Sequence, residues 1–92
     1  MTNETTRTCL IVNEKGLHAR ASAKLVEVVE SFHATAMISK DGMDASGDSI
    51  MGLLMLAASI GTSIEVKTDG ADAEQLADAI GALVANRFGE DM

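Results

Sequence analysis

ATAMISKDGM, residues 34 to 43, decides how the chain is organised. ATAMIS, residues 34–39, reads as a strand. Asp41-Gly42 then gives a strong hairpin signal, because both positions tolerate positive φ. A short strand over residues 43–46 completes the hairpin, and two strands joined this tightly run antiparallel. Upstream, apolar residues at 21, 25, 28, 29 and 32 form a helical stripe over residues 19–32, leaving Lys24, Glu27 and Glu30 for solvent. Before it, RTCLIV at 7–12 reads as a strand with Leu10 and Val12 on one face.

Downstream of the hairpin, a second helix starts near Asp48-Ser49 and runs to about Ser59. SIEVKT at 63–68 alternates, with Ile64 and Val66 inward and Glu65 and Lys67 outward, and Asp69-Gly70 ends that strand. The last helix opens at Asp72, with Gln75 three residues on as in a capping box. Its stripe is Leu76, Ile80, Leu83, Val84 and Phe88. The order is β-α-β-β-α-β-α. One apolar face per helix predicts an α+β open-faced sandwich, a four-stranded antiparallel sheet with three helices on one face, as a single domain over residues 1–92. Other folds share this order, so topology alone assigns no function.

Composition narrows the function. The chain has 92 residues, with 7 basic against 14 acidic side chains and a formal charge of −7. That balance argues against general binding to nucleic acid or to an anionic membrane surface. Cys9 is the only cysteine, so neither an internal disulfide nor a cysteine-based zinc cage is expected. No apolar run reaches the length of a membrane span, and MTNETTRT lacks a leader pattern, so a cytoplasmic setting is the default expectation.

Against this acidic background, NEKGLHARASAK at 13–24 concentrates Lys15, Arg20 and Lys24 around His18, where a strand ends and a helix begins. The first amides of a helix lack internal partners and carry partial positive charge, which makes a ready anion site. Gly16 permits an unusual turn or a close approach. Arg20 can pair bidentately with phosphate oxygens, and Lys15 and Lys24 add diffuse charge. A nucleophilic imidazole, the backbone amides of Ala19 and Arg20, and an arginine are the parts needed to hold a phosphoryl group on histidine. No Walker-type loop is present, so the chain would receive and pass on a phosphoryl group without a nucleotide site of its own. On residue types alone, an alternative stands: a surface histidine that follows a glycine turn and caps a helix.

GLHARASAK resembles the active-site signature of the HPr phosphocarrier family of the bacterial phosphotransferase system, whose usual form is Gly-Leu-His-x-Arg-Pro. Gly16, Leu17, His18 and Arg20 match, and Ala21 replaces the proline. Alanine is the best helix former and occupies that place without strain. Ala at this position resembles the nitrogen-related branch, NPr, and alphaproteobacterial relatives. The resemblance extends to length and element order. It implies that His18 takes a phosphoryl group, on Nδ1, from phosphorylated Enzyme I and passes it to a downstream protein of EIIA type, without a cofactor. It also implies partner docking on the first two helices, with Leu17, Lys24, Ile50, Met51 and Leu54 as contacts.

In SGDSIMGLLMLAA, residues 46–58, Leu53, Leu56, Ala57 and Ile60 form a core stripe, which leaves Ile50, Met51, Leu54 and Met55 turned partly elsewhere. For Met55, docking and cover by other elements both stand. Either Asp48 or Ser49 can serve as the N-cap of this helix. DSIMG also resembles the family segment in which a serine is phosphorylated by HPr kinase/phosphorylase, and both readings of Ser49 stand. His33 is expected at the surface, Cys9 in the sheet or core, and Glu90 and Asp91 in a solvated tail. Two competing readings are a noncatalytic regulatory module acting through Ser49 and the second helix, and a metal carrier. The first has no need of His18 with Arg20, and the second calls for a Cys-x-x-Cys loop that is absent.

Overall fold

The fold comes from a computed structural model, which describes residues 3–92; Met1 and Thr2, part of the stretch read for a leader, lie outside them. The chain forms β1 (Glu4–Leu10), α1 (Ala19–Glu30), β2 (Ala34–Lys40), β3 (Met43–Ser46), α2 (Ile50–Met55), β4 (Ser63–Gly70) and α3 (Ala73–Ala85), then a short 3-10 turn over Arg87–Gly89. The sheet order is β1-β4-β2-β3, and every pair is antiparallel. The hairpin turns through Asp41 and Gly42, at φ 50° and 82°, as their sequence predicts.

The three helices cover one face of the sheet. In β4, Ile64, Val66 and Thr68 are buried, while Ser63, Glu65, Lys67 and Asp69 are exposed. Leu25 and Ala21 of α1, Leu53 of α2, and Leu76, Ile80 and Val84 of α3 meet that face, and Phe88 closes the core. Each such large side chain contributes about 1.5–3 kcal/mol relative to exposure.

Three expectations change. β1 starts earlier than residue 7, and Leu10, 53 % exposed, lies on the outer face. Cys9 pairs directly with Ile64, so this register turns Cys9 inward, and Ile11 beyond the strand is buried too. A run as uniformly apolar as CLIV carries no period-2 signal to choose between its faces. The second helix stops at Met55, where Ala57 takes φ 51° and Ile60 is 54 % exposed. The chain leaves the helix to reach the loop before α1: the Ala58 carbonyl accepts from Leu17 N–H at 2.8 Å, and Gly61 N–H donates to the Ile11 carbonyl at 2.8 Å. Asp72 precedes α3 as expected but does not cap it, because its carboxylate accepts the His33 backbone N–H at 2.9 Å.

Candidate functional site

The loop between β1 and α1 is fixed before α1 begins. Gly16 has φ 64°, and a Cβ there would stand 2.3 Å from the Ala58 carbonyl oxygen, so both the turn and the close approach require glycine. Gly16 N–H donates to the Asn13 carbonyl, and Leu17 N–H to that of Ala58. This delivers His18 to the N-cap of α1 in extended conformation, φ −79° and ψ −175°.

His18 is an unusual cap because its side chain makes no capping bond. The first helical bond runs from Ser22 N–H to the His18 carbonyl at 2.8 Å. The N–H groups of Ala19, Arg20 and Ala21 therefore have no acceptor among the described residues. Ala21 adds to this set: a proline in its place would supply no N–H. Arg20 is exposed, and its guanidinium makes no hydrogen bond among the described residues. A depression of about 320 Å³ beside the ring is lined by the basic Lys15 and Arg20, by His18, and by the acidic Glu14, Glu90 and Asp91.

Instead of capping the helix, the His18 ring meets the end of the chain. Its Nε2 contacts Glu90 Oε2, and the Glu90 side chain is only 15 % exposed. Asn13, fully buried, donates from Nδ2 both to the Gly16 carbonyl at 2.9 Å and to Glu90 Oε1 at 3.0 Å. Asn13 Oδ1 has no partner among the described residues. The Asn13 hydrogen bond holds the Glu90 carboxyl below the usual carboxylate range, against burial, which pushes it up; the His18 contact and the Lys15 charge also lower it.

Several expected residues take other places. Glu90 is not part of a solvated tail. Phe88, fully buried, anchors the segment, and Arg87, Phe88 and Gly89, all at positive φ, turn Glu90 back onto His18. Asp91 is exposed but lines the same depression. Leu17, expected as a partner contact, is 4 % exposed and belongs to the core, since its N–H tie to Ala58 turns it inward. Lys24 is not left to solvent, because its Nζ donates to the Phe88 carbonyl at 2.5 Å. The signals for the missed residues were Gly89, a helix-stop mark, and Phe88 beside it, which the stripe assigned to α3 but which sits in the turn after that helix ends at Ala85.

Of the two cap candidates for the second helix, Asp48 and Ser49, the structure uses Ser49. Ser49 Oγ accepts from Gly52 N–H at 3.0 Å. Met51 is 72 % exposed, Ile50 and Met55 are exposed beside it, and Leu54 is half-buried. Together they form an apolar strip. α1 and α2 pack against each other, so strip and histidine belong to adjoining elements.

Chemically, this is an imidazole at a helix start whose amides and neighbouring guanidinium have no acceptor among the described residues and are suited to phosphate oxygens. No helix of the described residues is long and apolar enough to cross a membrane. The family profile described as "PTS HPr component phosphorylation site" matches residues 5–86. The chain is 48 % identical over 84 residues to phosphocarrier protein HPr of Cupriavidus necator, covering 91 % of this chain and 94 % of that one. It is 36 % identical over 86 residues to phosphocarrier protein NPr of Proteus mirabilis, covering 92 % and 96 %. A crystal structure of HPr from Thermoanaerobacter tengcongensis superposes with a TM-score of 0.90 at 32 % identity, covering 96 % of this chain and 99 % of that one. Fold, helix-start histidine and relatives agree: the chain belongs to the HPr family of phosphocarriers of the phosphotransferase system, proteins that carry a phosphoryl group between enzymes and are not themselves enzymes.

Proposed function

We propose that His18 is the phosphoryl acceptor, that Arg20 and the amides of Ala19 and Arg20 hold the phosphoryl oxygens, and that the Ala21 amide assists them. One observation carries this reading: among the described residues, the α1 start presents unpartnered amides and an unpartnered guanidinium beside an imidazole. In this reading the donor is phosphorylated Enzyme I, charged from phosphoenolpyruvate in the cytoplasm, and the recipient is a protein of EIIA type. Ile50, Met51 and Leu54 form the docking strip, and the exposed Met51 supports that role. Lys24, with Nζ committed to the Phe88 carbonyl, contributes its charge and shape to the same edge.

A second layer is phosphorylation of Ser49 by HPr kinase/phosphorylase. Its hydroxyl uses an oxygen lone pair for the Gly52 amide and stands next to the docking strip. A dianion there would favour the helix start while repelling an acidic partner.

The test is intact mass after incubation with phosphoenolpyruvate and Enzyme I. One added phosphoryl group, lost in mild acid and absent from His18→Ala, is the expected result. A phosphorylated His18→Ala protein would overturn the reading. For Ser49, incubation with the kinase and ATP should add an acid-stable phosphoryl group that Ser49→Ala does not take.

A further inference from the structure

The family profile ends at residue 86, before the segment that meets the histidine. That segment is built at a cost. Arg87 and Phe88 both hold left-handed backbone, φ 55° and 53°, which ordinary residues adopt only against a steric penalty. It persists because Phe88 is sealed in the core, Lys24 Nζ binds its carbonyl, and the Met92 carbonyl accepts from Glu14 N–H at 3.1 Å. Strain held in place from several sides, next to a reactive group, points to use. Its result is one carboxylate set against one ring nitrogen.

We propose that Glu90, braced by Asn13, is a positioning residue for phosphoryl transfer at His18, holding the Nε2–H so that Nδ1 is the attacking nitrogen. The inference rests on the reading of His18 as acceptor. An ionised carboxylate can only accept, so the nitrogen facing it carries the proton and the other keeps its lone pair. Glu90 faces the ring as a carboxylate, since the Asn13 hydrogen bond and the Lys15 charge act to hold its carboxyl below the ordinary range. The buried Asn13 uses both Nδ2 hydrogens on the Gly16 carbonyl and on Glu90, so turn and carboxylate are fixed by one side chain.

In the transfer step, the Nδ1 lone pair forms a bond to phosphorus, and the bond between phosphorus and the donor breaks with its electron pair going to the donor. The proton on Nε2 stays where it is. The ring becomes a phosphoimidazolium whose positive charge faces the Glu90 carboxylate. Return transfer to the recipient reverses these changes. Glu90 contacts the ring edge and makes no bond to the helix-start amides, so it does not occupy the place proposed for the phosphoryl oxygens.

The test compares Glu90→Gln, Glu90→Asp and Glu90→Ala with wild type in the full chain. The readouts are the rate of phosphoryl acceptance from Enzyme I and the ring proton and nitrogen resonances of His18 in the unphosphorylated protein. Loss of a charge-assisted hydrogen bond predicts acceptance slowed roughly tenfold or more in the Gln and Ala variants. The Nε2–H resonance should move upfield in Glu90→Gln and be lost to exchange in Glu90→Ala. Glu90→Asp should recover part of the rate. Unchanged Phe88 ring resonances would show that the segment stays docked, separating the carboxylate from a loosened chain end. Wild-type rates in Glu90→Gln and Glu90→Ala, with the ring resonances unmoved, would overturn the inference and leave the acceptor reading standing. A wild-type protein that takes no phosphoryl group would remove both.

Discussion

The starts of α1 and α2 meet the same local need in opposite ways. Each helix begins with amides that lack internal partners. At α2, Ser49 turns its own hydroxyl onto Gly52 N–H and satisfies one of them. At α1, His18 stands in the capping position but sends its ring to Glu90, and the amides of Ala19, Arg20 and Ala21 find no acceptor among the described residues. Ser is a preferred cap, and a residue that makes no capping bond forgoes about 1 kcal/mol. The open end is therefore not explained by helix stability. The proposed site gives it a use, since phosphoryl oxygens would fit these amides and the exposed Arg20.

The largest effect should come from giving α1 the α2 solution. His18→Ser places a capping hydroxyl where the ring now leaves the amides open. Phosphoryl acceptance should fall to background by intact mass, while thermal unfolding shows a helix start at least as well formed, by a hydrogen-exchange gain at Arg20 or Ala21. Exchange unchanged at both amides would mean that they are not open in the wild type.

Next in size is Arg20→Ala. Removing one of the charged donors from the developing phosphoryl site should slow acceptance roughly a hundredfold. Its exposure, with no hydrogen bond from its guanidinium among the described residues, predicts an unchanged unfolding midpoint. Met51→Asp comes third: at 72 % exposure it should leave stability intact while weakening the Enzyme I complex by about tenfold, or ~1.4 kcal/mol, in a titration. Unaltered affinity would move the docking strip away from α2. The smallest effect belongs to Ser49→Ala, which removes the cap and should cost about 1 kcal/mol in denaturant unfolding with His18 acceptance unaffected.

Local signals read well wherever the chain's own chemistry decides the outcome. Asp41-Gly42 sets its hairpin and the 63–68 alternation its buried face, as the residues predict, and the cap of α2 falls on Ser49, one of the two candidates. The position of His18 at a helix start was legible for the same reason, since Gly16 and the stripe that follows are both local. What escaped was whatever depends on contacts distant in sequence. Leu17 turns inward because Ala58, in a segment that breaks out of α2, takes its N–H. That break also exposes Ile60, which a longer helix would have buried. Asp72 has the sequence of a cap but gives its carboxylate to His33. Glu90 looks like tail charge until Phe88 fills the core and folds it onto a residue 72 positions earlier.

The measurement that bears most directly on the site is the amide spectrum before and after stoichiometric phosphorylation by phosphoenolpyruvate and Enzyme I. The account predicts large downfield shifts and slowed exchange at Ala19, Arg20 and Ala21 as the phosphoryl oxygens take up their N–H groups, with Gly52 N–H, already bound by Ser49, unmoved. Phosphorylation on His18 that leaves those three amides unchanged would contradict it.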